Sequence, residues 1–204
     1  MNGWAWAALA LYLGWAVLAF GVRAVVQRRR TGDAGFRGIS GRPGEASWWA
    51  GVLFVAALLA GVVAPVAALA GLTTVSMAVV QGAGLVVPLA GMAATLAAQT
   101  NMGASWRVSV DAAERTELVT DGLFTHVRNP VFTAMTVTAV GLALMVPNGV
   151  SLPALAARVT AIQLQVRVVE EPYLRVLHGP SYVAYTARAG RFLPGIGRSA
   201  AHLP

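Results

Sequence analysis

The chain has 204 residues, of which 57% are hydrophobic and 11% charged, with no cysteine and a mean hydropathy of +0.65. A soluble domain carries about 25% charged residues, so this composition excludes a soluble globule, and its apolarity excludes a disordered chain. The lack of cysteine removes disulfides, thiolate nucleophiles and cysteine-type zinc sites. Lysine is absent, so fifteen arginines against eight acidic residues set the net charge of +7 and the pI near 11.2. In a chain this apolar, those charges are read as membrane topology; nucleic acid is not an expected partner.

A bilayer-spanning helix needs about 20 mostly apolar residues. The first such run is 4–26, interrupted by Arg23 near its end, and the basic triplet Arg28, Arg29 and Arg30 follows it. A cleavable signal puts positive charge before its apolar run, so this segment reads as an anchor and the triplet as a topology determinant. The stretch from Thr31 to Gly44 is Gly-rich and reads as a mobile loop. Uncharged spans follow at 48–70 and 74–98, with Trp4, Trp6, Trp48 and Trp49 suited to the interfacial belt. Two shorter apolar segments, 130–146 and 150–166, are joined by the turn residues Pro147, Asn148 and Gly149, which predicts a tight helical hairpin.

The reading is an all-α integral membrane protein of five spans, with three N-terminal helices in 1–100 and a functional core in 101–204. Arginines cluster after the first span, before the fourth and after the fifth, leaving only Arg158 elsewhere. The positive-inside rule makes that side cytoplasmic, which predicts a multi-pass plasma-membrane protein with its N-terminus outside and its C-terminus inside. Arginine-only basic usage with an Ala, Gly and Val bias matches a high-GC bacterial coding sequence.

Polar residues collect at the two cytoplasmic ends of the hairpin. Asp111, Glu114, Glu117 and Asp121 precede the fourth span, and Glu170 and Glu171 follow the fifth. A site built there faces the cytoplasm at lipid depth. Asn129 is a good helix N-cap and Pro130 a good first helical residue, so Arg128 stands beside a positive helix end, an anion site. Glu170 and Glu171 point about 100° apart on a helix and so take separate partners, with Arg167 and Arg175 at ion-pairing spacing. Arg158 lies inside the fifth span, where a charge costs about 2.5–3.5 kcal/mol and turns to a partner or cavity. It shares a helical face with Gln165, and the pair is expected to line a polar groove for a substrate head. His126, His178 and His202 form no recognisable metal set, so no metal is expected.

The stretch Gly122-x-Phe124-x-x-x-Arg128-Asn129-Pro130-x-Phe132 resembles the Gly-x-Tyr…Arg-His-Pro-x-Tyr motif of the isoprenylcysteine carboxyl methyltransferase and phospholipid methyltransferase superfamily. Glu170-Glu171-x-x-Leu174, Gly179-x-x-Tyr182-x-x-Tyr185 and Arg191-Phe192-Leu193-Pro194 resemble its C-terminal signature. Met102-Gly103-x-Ser105-Trp106 resembles its Gly-x-x-Trp element. Asn129 and Phe132 replace a frequent histidine and tyrosine, so no imidazole or phenol acts at those positions.

The resemblance implies a membrane enzyme that uses S-adenosylmethionine, releases S-adenosylhomocysteine, and encloses the cofactor between the hairpin and the C-terminal segment. By analogy Arg128 holds the cofactor carboxylate, and Glu170 and Glu171 hold its ammonium and ribose. Gly122, Leu123, Phe124, His126, Val127, Asn129 and Pro130, with Tyr182 and Tyr185, line its adenine pocket. The acceptor is expected to be a lipophilic small molecule. A carboxylate acceptor needs a positioning cation, for which Arg191, Arg167 and Arg158 are candidates, whereas an amine acceptor needs a base such as His126 or a glutamate. Trp106, Arg158 and Gln165 are the candidate substrate contacts. Carboxyl O-methylation is the leading expectation, phospholipid or amine N-methylation the alternative, and a non-catalytic scaffold or transporter the second alternative.

Overall fold

The computed structural model describes residues 3–109 and 116–199. Asp111, Glu114 and His202 lie outside the described residues. The protein is all-helical, and among the described residues it has no strand beyond isolated bridges. Five long helices make the fold: α1 (Gly3–Thr31), α2 (Ala46–Leu69), α3 (Ala78–Asn101), α4 (Pro130–Met145) and α5 (Ser151–Arg188). All but α4 are long and apolar enough to cross a bilayer, and α4 is a shorter apolar helix. The protein is a multi-pass membrane protein.

The basic triplet forms the last turn of α1, which ends at left-handed Gly32 (φ 81°) with the Gly32 N–H on the Arg28 carbonyl. Glycine belongs there because a side chain resists positive φ. Two local irregularities in the first two spans expose carbonyls to side chains from other helices. In α1 the π-helical turn Val17–Val22 leaves the Ala19 carbonyl to Gln99 Nε2, 3.0 Å away. In α2 the 3₁₀ turn Ala60–Val62 follows Ala57 and Leu58, whose carbonyls take Arg158 and the Tyr12 hydroxyl.

The most extensive helix contact is between α3 and α4. Small residues permit it: Gly84, Gly91 and Gly141 sit so close to the facing backbone or to Pro88 that a Cβ at any of them would come within 2.6 Å of a heavy atom. Lipid offers no hydrophobic drive between helices, so close packing of this kind takes its place.

The helix that carries the fifth apolar segment does not end at 166. Helix α5 has 38 residues, about 57 Å at 1.5 Å per residue, nearly twice a bilayer core of about 30 Å. It continues through a π-helical turn at Gln165–Glu170 and a kink at Gly179 (φ 51°) to Arg188. The loop read as mobile is tied down. Arg37 N–H donates to Val108 O, Val108 N–H to Gly35 O, and the Ser40 and Ser109 hydroxyls lie 3.0 Å apart.

Candidate active site

The three motif segments meet at one end of the bundle, opposite the Pro147–Gly149 turn. The backbone after the 3₁₀ turn Gly122–Thr125 pairs with the chain beyond α5. Gly190 N–H donates to His126 O, Arg128 N–H to Gly190 O, and Asn129 N–H to Arg191 O. Asn129 stands at the N-cap of α4 with Pro130 behind it, but its side chain makes no cap bond. Its Nδ2 donates to Arg191 O instead, and Thr133 Oγ1 donates to Phe192 O at 2.7 Å. Two motifs more than sixty residues apart are thus joined along their backbones.

Arg128 is buried at 6% exposure and faces the C-terminal segment. Its Nη1 donates to Ala189 O (2.7 Å) and Thr186 O (3.3 Å), and its Nη2 to Glu171 Oε1 (2.9 Å) and Gly197 O (3.2 Å). Its Nε, buried, meets no partner among the described residues. Glu171 is also gripped by Arg191 through two bonds, Nε to Oε1 at 2.6 Å and Nη2 to Oε2 at 2.9 Å. One carboxylate therefore bridges two guanidiniums, and its pairing with Arg191 is bidentate, the geometry in which Arg–carboxylate bonds are strongest. The pairing holds the Arg191 guanidinium above its ordinary pKa, chiefly through the Glu171 hydrogen bond.

Glu170 has different neighbours. The π-helical turn places it one turn from Gln165, whose amide bonds it, and Arg107 faces it from the segment after α3. The adjacent glutamates do take separate partners, but across the fold. The spacing-based ladder is not what forms: Glu171 turns to Arg128 and Arg191, and Arg167 donates to Gln163 Oε1 on the exposed face of α5.

Between these parts lies a cavity of about 150 Å³. Its walls come from Met102, Trp106 and Arg107, from Leu118 and Phe124, from Arg128 to Phe132, and from Glu170, Tyr173, Tyr182 and Tyr185. Tyr185 donates its hydroxyl to Phe124 O at 2.6 Å, and Phe124, Tyr182 and Tyr185 pack as one buried cluster. Trp106 is 3% exposed, with the Arg23 guanidinium 5.0 Å from its ring centroid and Phe36 edge-on to it. Arg23 in turn donates to Gly103 O and Gln99 O, so a charge at the end of α1 fixes the segment that carries Trp106.

The cavity thus brings together Trp106, Phe124, Arg128, Asn129, Pro130, Glu170, Tyr182 and Tyr185 of the residues singled out from sequence. Glu171, Arg191 and Val127 brace it from behind. Gly122, Leu123 and His126 are exposed beside it, and Arg167 is exposed on α5. Arg158 lies in a separate cavity toward the other end, and Gln165, though buried, lines neither. Sequence reading did not single out Arg107 or Tyr173, whose ring lies 5.3 Å from the Arg107 guanidinium. The signal available was their place directly after Trp106 and Glu171-Pro172.

The bundle of apolar helices thus carries at one end an aromatic-walled cavity with charged residues in its lining, the form of a small-molecule binding site. The profile of the family described as phospholipid methyltransferase matches residues 77–181, about half of the chain and most of the cavity wall. The chain belongs to the phospholipid methyltransferase family and is a membrane methyltransferase. Among curated proteins the chain finds no match.

Proposed function

We propose that the protein methylates the carboxylate of a lipophilic small molecule, with S-adenosylmethionine as donor in the cavity between α4, α5 and the segment after α3. The observation that carries this reading is that single cavity, whose wall unites Arg128–Phe132 with Glu170–Tyr185. Its chemistry fits the donor. Glu170 offers acceptor oxygens to an ammonium or to ribose hydroxyls, and Phe124, Tyr182 and Trp106 offer an apolar slot for an adenine. Arg128 spends Nη1 and Nη2 on Glu171 and on the C-terminal carbonyls, so its role is to hold the wall in place.

The donor supplies a methyl carbon activated by a sulfonium and leaves as S-adenosylhomocysteine. The chain then has to align the acceptor in line with that carbon and keep water out. A carboxylate acceptor needs no base, only a cation that positions it, and Arg107 lines the cavity where such a head would enter. Arg191 is committed to Glu171, and Arg158 belongs to the other cavity. Glu117 at the cavity rim favours a second reading, in which a carboxylate accepts the proton of an amine acceptor. The arginine-rich end of the bundle is assigned to the cytoplasm, where the donor is found.

Calorimetric titration of the detergent-solubilised protein with S-adenosylmethionine and S-adenosylhomocysteine tests the donor site. Both should bind, and Glu170→Gln should weaken both at least tenfold while remaining folded. No binding by folded wild type in lipid would overturn the reading. Transfer of labelled methyl to a long-chain carboxylic acid, lost in Arg107→Ala, supports the carboxyl acceptor; transfer only to a long-chain amine replaces it with N-methylation.

A further inference from the structure

The second cavity lies toward the Pro147–Gly149 turn, walled by α1, α2, α4 and α5, and away from the methyl-transfer site. Arg158 reaches it from α5, seven residues or about 10 Å beyond Ser151. The Arg158 side chain is 5% exposed, and its Nη2 donates to the Tyr12 hydroxyl at 3.1 Å and to Ala57 O at 3.0 Å. Among the described residues no protein acceptor meets its Nε or Nη1. No carboxylate among the described residues lines the cavity either.

A second donor is unmet in the same place. Trp15 lines the cavity at 2% exposure, and its indole Nε1–H has no partner among the described residues. Its ring is fixed by Tyr12 and Phe20, so the N–H cannot easily turn elsewhere. Buried donors in proteins are nearly always satisfied, and a buried charge is compensated by an opposite charge or a set of acceptors. Here a buried indole N–H and a guanidinium share a partly open cavity whose remaining wall is mostly apolar, the Thr138 and Ser151 hydroxyls in it being bonded to the Ala134 and Val146 carbonyls.

The cavity measures about 40 Å³. A water takes roughly 10–15 Å³ by the same measure, so the room corresponds to about three heavy atoms. That is the size of a carboxylate or of the tip of a phosphate. It is too small for an acyl chain, which would have to leave along the helix surfaces. Gly61 makes the arrangement possible, because a Cβ there would stand 2.7 Å from Arg158 Nη2 and 2.5 Å from the Tyr12 ring.

We propose that this cavity binds the oxyanion head of an amphiphile, clasped by Arg158 and the Trp15 indole, at a site distinct from the methyl-transfer cavity. The guanidinium contributes charge and the indole a directed bond. The proposal does not rest on the methyltransferase reading.

The test uses the full chain in a neutral maltoside detergent. Thermal unfolding is followed with oleate, dodecyl phosphate or oleyl alcohol at equal mole fraction, and the indole N–H resonance of Trp15 is followed by NMR. Oleate, dodecyl phosphate or both should raise the transition temperature and shift the Trp15 resonance, and oleyl alcohol should do neither. Which of the two acts identifies a carboxylate or a phosphate head. Half-saturation should rise at least tenfold in Arg158→Gln and about threefold in Trp15→Phe, while S-adenosylmethionine binding stays unchanged in Trp15→Phe. If Arg158→Gln does not fold, Trp15→Phe and the resonance decide. Equal responses to oleate and oleyl alcohol, or a Trp15→Phe variant that titrates like wild type with no shift of the wild-type resonance, would overturn the proposal and leave a cavity filled by water.

Discussion

Glu170 and Glu171 are neighbours in sequence, yet their geometry predicts that neutralising each has a different consequence. Glu171→Gln keeps the shape and removes the charge shared by Arg128 and Arg191. Of the three bonds of 2.6, 2.9 and 2.9 Å, those to the oxygen that remains weaken and at least one is lost, because an amide NH2 cannot accept from a guanidinium. A bond to a charged group contributes about 1 kcal/mol more than a neutral one, so the loss sums to about 3 kcal/mol. That lies at the lower edge of the roughly 3–5 kcal/mol expected when a buried pair is broken, as suits a pair in which Glu171 and Arg191 keep some solvent contact. For a chain of this size the transition temperature should fall by about 6–12 °C. Glu170→Gln leaves that triad intact, so it should unfold near wild type and lose donor affinity instead. Arg191→Leu keeps the Arg128–Glu171 bond and should cost less than Glu171→Gln, and the double variant should cost less than the sum. Thermal unfolding in detergent, with S-adenosylhomocysteine titration on the same samples, measures both quantities. A Glu171→Gln protein as stable as wild type, or a Glu170→Gln protein equally destabilised, would refute this division of roles.

Gly141→Ala should be poorly tolerated, because its Cβ would lie 2.2 Å from Pro88 Cδ and 2.4 Å from Pro88 N, a ring and backbone that cannot swing aside. A loss of about 3 kcal/mol is expected, seen as a lowered transition temperature, while Gly149→Ala, with open space around it, should unfold like wild type. In the loop between α1 and α2, the Arg37 hydrogen bond and then the Gly35 N–H hold the Asp33 carboxyl at about 2, below its ordinary 3.8. A lowered folded-state value means the stabilisation is present above the ordinary value and lost as pH falls through about 2. Hydrogen exchange at the Gly35 amide, corrected for intrinsic rate, should therefore show protection at pH 4 that disappears near pH 2.

The apolar runs revealed where the helices are, because a span of lipid-facing residues has few alternatives. Three of the termini differ from the sequence reading by four residues or more, each for a physical reason. α1 runs on through its arginines to Gly32, since a charged last turn satisfies the helix dipole and needs only a left-handed residue to stop it. α3 starts at Ala78 and not at 74 because Val75 spends its N–H on Pro147 O, holding the preceding stretch extended. α5 passes 166 because nothing in Gln165–Glu170 breaks a helix, and polarity marks only the place where it leaves lipid.

The candidate site was legible as residues and not as roles. Spacing along a helix relates Glu170 to Arg167 and Glu171 to Arg175, but only the return of the chain beyond Arg188 brings Arg191 onto Glu171 and Gly190 onto Arg128. An arginine beside a helix N-terminus looks from sequence like an anion site. Here the four bonds from its Nη1 and Nη2 end on Glu171 and Thr186 of α5 and on Ala189 and Gly197 beyond it, so the same cation that would attract a ligand fastens the wall against which a ligand packs. Of the two adjacent glutamates the one that lines the cavity is Glu170, and the arginine beside it is Arg107, held over the Tyr173 ring. Charge at the site is therefore divided between a set that bonds α5 to the C-terminal segment and a pair, Glu170 and Arg107, that lines the cavity. Sequence distance cannot make that division, because both sets contain an arginine and a glutamate and the two glutamates are adjacent.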